Sequence, residues 1–131
     1  MLIDTSGFLC LYVKGEPHHE RAVAFYDSAN VRLTTNYVLA EYTALAQVRS
    51  IPRPEIIKFS TRILDDEEIE IVWVDENLHR QAVELTEQRE DKTYSLCDAV
   101  SFVLMLQRGF SEALTTDKHF EQEGFTRLLK S

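Results

Sequence analysis

Residues 95–117 read SLCDAVSFVLMLQRGFSEALTTD, and this stretch decides the fold. From Ser95 to Arg108 the chain is apolar nearly all round, the pattern of a central helix buried on most of its faces. Gly109 suits the C-terminal cap of that helix. Glu112 to Thr115 then reads as a short strand, with Asp117 just beyond it. A central helix running into a buried strand predicts β–α–β connections and a parallel sheet with right-handed crossovers.

Working outward, the same alternation recurs. Leu2-Ile3 reads as a short buried strand closed by Asp4, followed by a turn over Asp4-Thr5-Ser6-Gly7 and a helix from Phe8 to Val13 that Gly15-Glu16-Pro17 ends. Helical spacing covers His18 to Ser28, and Val31 to Thr34 reads as a second strand. Tyr37 to Arg49 repeats apolar residues at positions 38, 42, 45 and 48, an amphipathic helix. Pro52 and Pro54 precede another helix carrying Ile56, Ile57, Phe59, Ile63 and Leu64. Ile69 to Val74 is the strongest strand signal, and Asn77 to Arg89 is helical by the spacing of Leu78, Ala82, Val83 and Leu85. A helix from Asp117 to about Gln122 and a strand near Thr126 to Leu129 complete the chain. The expected class is α/β, one layer of mostly parallel sheet between helices, with residues 1–131 forming a single domain of ordinary size.

Composition sets limits on function. A net charge of −8 argues against a nonspecific basic groove for nucleic acid, yet it suits a site where divalent cations supply the positive charge toward a phosphate. The acidity also favours a basic partner. The two cysteines, Cys10 and Cys97, lie in apolar surroundings without paired spacing, so they read as small buried hydrophobes of a reducing compartment. No basic segment precedes a long apolar run at the N-terminus, and Phe8 to Val13 is far too short to span a bilayer. The expectation is a cytoplasmic protein with no membrane association.

Four carboxylates stand where carboxylates are awkward. Asp4 closes an apolar strand, Glu41 interrupts Val38-Leu39-Ala40, Asp98 heads the central helix, and Asp117 follows Ala113-Leu114. Burying an ionised carboxylate without a partner costs several kcal/mol or shifts its pKa. Ligand sites of open parallel sheets form beyond the carboxyl ends of the strands, which is where Asp4 and Asp117 fall. Simpler roles exist for each: Asp4 and Asp117 as helix caps, Ser95-Leu96-Cys97-Asp98 as a capping box, Glu41 as a solvated acid. Capping and ion binding are compatible, and four acids on one sheet edge favour a shared cation. Mg²⁺ and Mn²⁺ prefer such hard oxygen ligands, and a pair of these ions can activate water and stabilise a leaving oxygen in phosphodiester hydrolysis. Thr5, Ser6, Thr115 and Thr116 place hydroxyls beside two of the acids, to orient ligands or to serve the turns.

The ordered segments Leu2-Ile3-Asp4-Thr5-Ser6, Leu39-Ala40-Glu41, Ser95-Leu96-Cys97-Asp98-Ala99 and Leu114-Thr115-Thr116-Asp117-Lys118-His119-Phe120 resemble the motifs of PIN-domain ribonucleases, of the VapC-like toxin branch. The resemblance implies a PIN-like (Rossmann-like) three-layer α/β/α fold and Mg²⁺- or Mn²⁺-dependent endonucleolytic cleavage of RNA. It also implies a homodimer, inhibition by a small cognate antitoxin, and an acidic quartet matching Asp4, Glu41, Asp98 and Asp117, expected both to hold metal and to catalyse. Two positions depart from the pattern: His119, where some relatives carry another acid, and Cys97, where a threonine is common before the third acid. Cys97 is expected to affect packing more than chemistry.

Other features carry less. His18, His19, His79 and His119 form no metal-ligand spacing and are not expected to act directly, and Asp65-Asp66-Glu67-Glu68 reads as a solvated turn. Lys92 and Lys118 lie near two of the acids, within reach of a substrate phosphate. Two alternatives accompany the nuclease reading. An aspartate nucleophile at Asp4 would make a phosphatase, but Ser6 occupies the position where that chemistry expects a second aspartate. A PIN-like fold kept as a non-catalytic binding module is the other.

Overall fold

The computed structural model describes all residues, Met1–Ser131. The elements run β1 (Leu2–Ile3), α1 (Thr5–Tyr12), α2 (His19–Ser28), β2 (Leu33–Thr35), α3 (Asn36–Val48), α4 (Arg53–Asp65), β3 (Glu70–Val72), α5 (Glu76–Gln88), α6 (Leu96–Arg108), β4 (Glu112–Leu114), α7 (Lys118–Gln122) and β5 (Thr126–Arg127). The five strands order as β3-β2-β1-β4-β5, and every pairing is parallel, so the sheet is wholly rather than mostly parallel.

The three layers follow from the two-residue period of the strands. Leu2, Leu33 and Ala113 pack on one face with Leu78, Ala82 and Leu85 of α5 and Val100, Phe102 and Met105 of α6. Ile3 and Leu114 pack on the other with Phe8 of α1, Val38 and Tyr42 of α3, and Phe59 and Ile63 of α4. Tyr42 stacks on Phe59 at 3.9 Å between ring centres, and Phe8 meets both edge-on. Each such fully buried side chain contributes about 1.5–3 kcal/mol. The central helix is as expected: α6 buries eight of its thirteen residues, and Gly109 adopts the left-handed cap at φ +68°.

Two elements differ from the sequence pattern, for identifiable reasons. Asp4-Thr5-Ser6-Gly7 has turn composition, yet α1 begins at Thr5 rather than Phe8. The hydroxyls of Thr5 and Ser6 bond to distant side chains instead of their own backbone. Gly7 lets the first turn lie directly on β4, where a Cβ would meet the Leu114 carbonyl oxygen at 2.1 Å. In β3 only Glu70–Val72 of the long apolar run is paired, because its one neighbour, β2, ends at Thr35, opposite Val72, and turns into α3 at Asn36; Trp73, just past it, is 63% exposed. The last strand, expected to reach Leu129, likewise closes after Arg127 on the opposite edge.

Candidate active site

The register of the sheet brings the first two acids' neighbourhoods together. Ile3 lies opposite Leu114, so Asp4 and Thr115 emerge side by side past the carboxyl ends of β1 and β4. Thr115 Oγ1 donates to Asp4 Oδ2 at 3.0 Å and accepts from the Asp117 backbone N–H at 3.0 Å. With its proton on Asp4, Thr115 takes its remaining bond from Ser6, whose hydroxyl lies 3.1 Å away and itself accepts from the Thr116 N–H. These hydroxyls therefore tie the end of β1 to the end of β4.

Asp4 is 4% exposed, and although it occupies the N-cap position of α1, its side chain caps nothing. Its Oδ1 has no hydrogen-bond partner. Burial is the main cause that pushes its carboxyl up to about 7; the nearby charges of Asp98 and Glu41 add to the shift, and the adjoining Thr5 backbone and the Thr115 hydroxyl oppose it. Glu41 projects from α3, whose start is fixed by Thr35 accepting from the Val38 N–H, and Thr5 Oγ1 donates to Glu41 Oε1 at 2.6 Å. Cys97, in the first turn of α6, completes this group: the ligand atoms of Asp4, Glu41 and Cys97 lie within 4.8 Å of one another. Burial, then the charges of Glu41, Asp4 and Asp98, pushes the Cys97 thiol above its usual range and favours its neutral form.

The second group is Asp98, Asp117 and His119, again with ligand atoms within 4.8 Å. Ser95 and Asp98 form a capping box at the start of α6: the Ser95 hydroxyl accepts from the Asp98 N–H at 3.0 Å, and Asp98 Oδ2 accepts from the Ser95 N–H at 3.2 Å. The same Oδ2 accepts from His119 Nδ1 at 2.9 Å, which leaves Oδ1 for another contact. Asp117 Oδ1 caps α7 through the His119 N–H at 2.9 Å. The imidazole is held at its other nitrogen by the Thr93 hydroxyl, 3.2 Å away, and rests edge-on against Tyr94.

All four sequence-predicted acids thus reach the carboxyl edge of the sheet, divided into two adjoining groups. Asp98 and Asp117 do cap their helices, as one reading held; Asp4 does not. Two residues outside the predicted quartet also reach this edge. Cys97 is buried, but it faces the acids rather than only packing in the core, and His119 bridges Asp98 and Asp117. The available signal was position: Cys97 is the residue before Asp98 in the first helical turn, and His119 is two residues past Asp117. Lys92 pairs with Asp91, whereas Lys118 is exposed beside the site.

The donor set fits a divalent cation. Carboxylate oxygens are hard ligands, and a buried carboxylate oxygen with no donor facing it has a free acceptor for an ion. Together, fold and site define a class: Rossmann-like α/β proteins whose ligand edge is lined by carboxylates. Within that class the chain belongs to the PIN domain family, whose profile matches residues 1–125. It is 30% identical over 129 residues to the 23S rRNA-specific endonuclease VapC20 of Mycobacterium tuberculosis, in both the CDC 1551 / Oshkosh and the ATCC 25618 / H37Rv strains, covering 98% of this chain and 97% of that protein. The crystal structure of M. tuberculosis VapC20, a Sarcin-Ricin loop cleaving toxin, matches with a TM-score of 0.87 at 27% identity, over 99% of this chain and 98% of that one.

Proposed function

We propose that this protein is an endoribonuclease that hydrolyses RNA phosphodiester bonds with the help of Mg²⁺ or Mn²⁺, and that it is the toxin of a toxin–antitoxin pair. The observation that carries the reading is Asp4: a carboxylate almost wholly removed from water, with one oxygen unpartnered, facing two further acids. Membership of the PIN family and likeness to a toxin that cleaves the Sarcin-Ricin loop support RNA as the substrate.

Asp4, Glu41, Asp98 and Asp117 would hold the ions. Bound there, the divalent cation polarises water and offsets charge on the reacting phosphate. The protein's own part is positional. Thr115 fixes Asp4 Oδ2 and Thr5 fixes Glu41 Oε1, so that Asp4 Oδ1 would be free to take an ion. His119 and the Ser95 N–H both load Asp98 Oδ2, which leaves Oδ1 for the ion. Exposed Lys118, next to Asp117 in the chain, would supply a counter-charge to a substrate phosphate.

A small antitoxin as partner, a homodimeric state and a cytoplasmic location belong to the same proposal. Exposed apolar side chains on α3 and α4, Val48, Ile57 and Leu64, give a second copy or a partner surface to cover. No helix is long and apolar enough to cross a membrane.

The test is cleavage of a 23S rRNA fragment containing the Sarcin-Ricin loop by the purified protein, after chelation and after return of Mg²⁺ or Mn²⁺. Cleavage should require the ion and should disappear in Asp4→Asn and Asp98→Asn. Equal cleavage in chelator, or by both variants, refutes the reading.

A further inference from the structure

One half of the site carries a donor that hard-ion chemistry does not use. We propose that Asp4, Glu41 and Cys97 form a binding site for a thiophilic divalent cation, Zn²⁺ foremost, which displaces the hard ion from the two carboxylates. The inference deepens the nuclease reading of the same acids and rests on it for the hard ion being displaced.

Three observations converge. The carboxylate oxygens of Asp4 and Glu41 and the Sγ of Cys97 lie within 4.8 Å of one another. Asp4 is 4% exposed with Oδ1 unpartnered, so the group already presents a buried acceptor that lacks a cation. Cys97 is 8% exposed and sits beside those oxygens, where a hydroxyl or methyl would bring no soft donor. Zn²⁺ takes mixed oxygen and sulfur ligands in a tetrahedron, with Zn–S about 2.3 Å and Zn–O about 2.0–2.2 Å, so neighbouring donors stand roughly 3.3–3.5 Å apart. Glu41, the longest and least buried of the three, has the side-chain freedom to close to that spacing. Three protein ligands leave the fourth position to water, and Asp98, close enough to raise the Asp4 pKa, adds attraction for the cation.

Softness decides which ion gains. A thiolate contributes little to Mg²⁺, whereas it binds Zn²⁺ and Cd²⁺ strongly. On binding, the Sγ–H bond breaks, its proton leaves to solvent and an S–metal bond forms; no electron is transferred. Cys10 supplies an internal control, since it is buried in the apolar core away from any such cluster.

The experiment uses the full chain, stripped of metal and carrying Cys10→Ala so that Cys97 is its single thiol. Titration with Cd²⁺ or Co²⁺ should produce thiolate-to-metal charge-transfer absorption that saturates at one ion per chain, absent when Cys97→Ser is added. Zn²⁺ should abolish that band by competition and should release bound Mn²⁺, read as growth of the free-ion electron paramagnetic resonance signal. Cys97→Ser should weaken Zn²⁺ binding on the order of tenfold or more. No thiolate band at saturating Cd²⁺, or unchanged Zn²⁺ affinity in folded Cys97→Ser, overturns the proposal. Should Cys97→Ser fail to fold, the band and the Mn²⁺ release in the Cys10→Ala protein still decide it. A band with Mn²⁺ release in a protein that cleaves no RNA would uphold the zinc site and reject the nuclease reading; ion-dependent cleavage without a band would do the reverse.

Discussion

In the Asp98–Asp117–His119 half of the acidic edge, each carboxylate is also a structural acceptor. Asp98 closes a capping box and takes the His119 imidazole, and Asp117 caps α7. In the Asp4–Glu41–Cys97 half the arrangement is reversed: Asp4 sits at an N-cap position without capping, receives a single hydroxyl, and keeps one oxygen unpartnered in the interior. Helix ends and an imidazole compensate the first pair of charges within the fold. In the second pair Thr5 serves Glu41, and Asp4 keeps an acceptor without a partner. A carboxylate that stabilises the apo-protein and one that destabilises it therefore lie side by side on the same edge, and stability measurements can separate them even where activity measurements cannot.

The sharpest contrast comes from removing one acid of each kind. Asp4→Asn and Asp98→Ala should each lower RNA cleavage by about 10²–10³-fold or more, the range seen when a preorganised electrostatic group is removed. Their stabilities should move in opposite directions in chelated protein at neutral pH. Asp4→Asn gains stability by deleting an uncompensated buried charge, and Asp98→Ala loses roughly 1 kcal/mol with its cap. Denaturant unfolding of both variants beside the parent checks this, and shifts of the same sign would break the comparison.

The next effect is in pH. The Asp4 carboxyl is held at about 7 in the folded protein against an ordinary value of 3.8, so between these values the folded state keeps a proton that the unfolded state has lost. Stability of the chelated protein should therefore fall as pH rises from about 4 to about 7 and level off above, by an amount on the order of a few kcal/mol. Asp4→Asn should flatten that slope, and saturating Mn²⁺ should restore stability at the upper end. A parent protein whose unfolding midpoint is unchanged across this window would contradict the assignment.

His119→Ala should act on the other half alone. It frees Asp98 Oδ2 and should weaken Mn²⁺ binding by roughly 10–100-fold, as loss of groups that orient metal ligands does, while the Asp4 pH slope persists. Calorimetric titration of Mn²⁺ reads the first and pH-dependent unfolding the second. The smallest effect is expected from Ser95→Ala, which removes one half of the capping box for about 1 kcal/mol and leaves the carboxylates in place.

Much of this geometry was legible in the residues. The apolar run of α6 with Gly109 behind it, and the strand–acid junctions at Asp4 and Asp117, each state locally what the fold then does. Where patterns misled, long-range contacts overrode them. The helical start of α1 depends on Gly7 fitting against the Leu114 carbonyl, and β3 stops at Val72 because its partner strand turns into α3 after Thr35. Glu41 was legible as an oddity in an apolar stretch, but the partner that aims it, Thr5, comes from a different element. Cys97 and His119 stood out as departures from the motif pattern, but a lone cysteine and an isolated histidine carry no spacing signal; only the convergence of α6 and α7 gives them acidic neighbours.

The most direct test is a crystal soaked in Mn²⁺ and its anomalous difference map. A peak is expected at about 2.0–2.2 Å from Asp4 Oδ1, the bond length hard cations make to carboxylate oxygen, flanked by Glu41 or Asp98. A map at full occupancy with no peak against Asp4, or with manganese only at acids elsewhere on the surface, would contradict it.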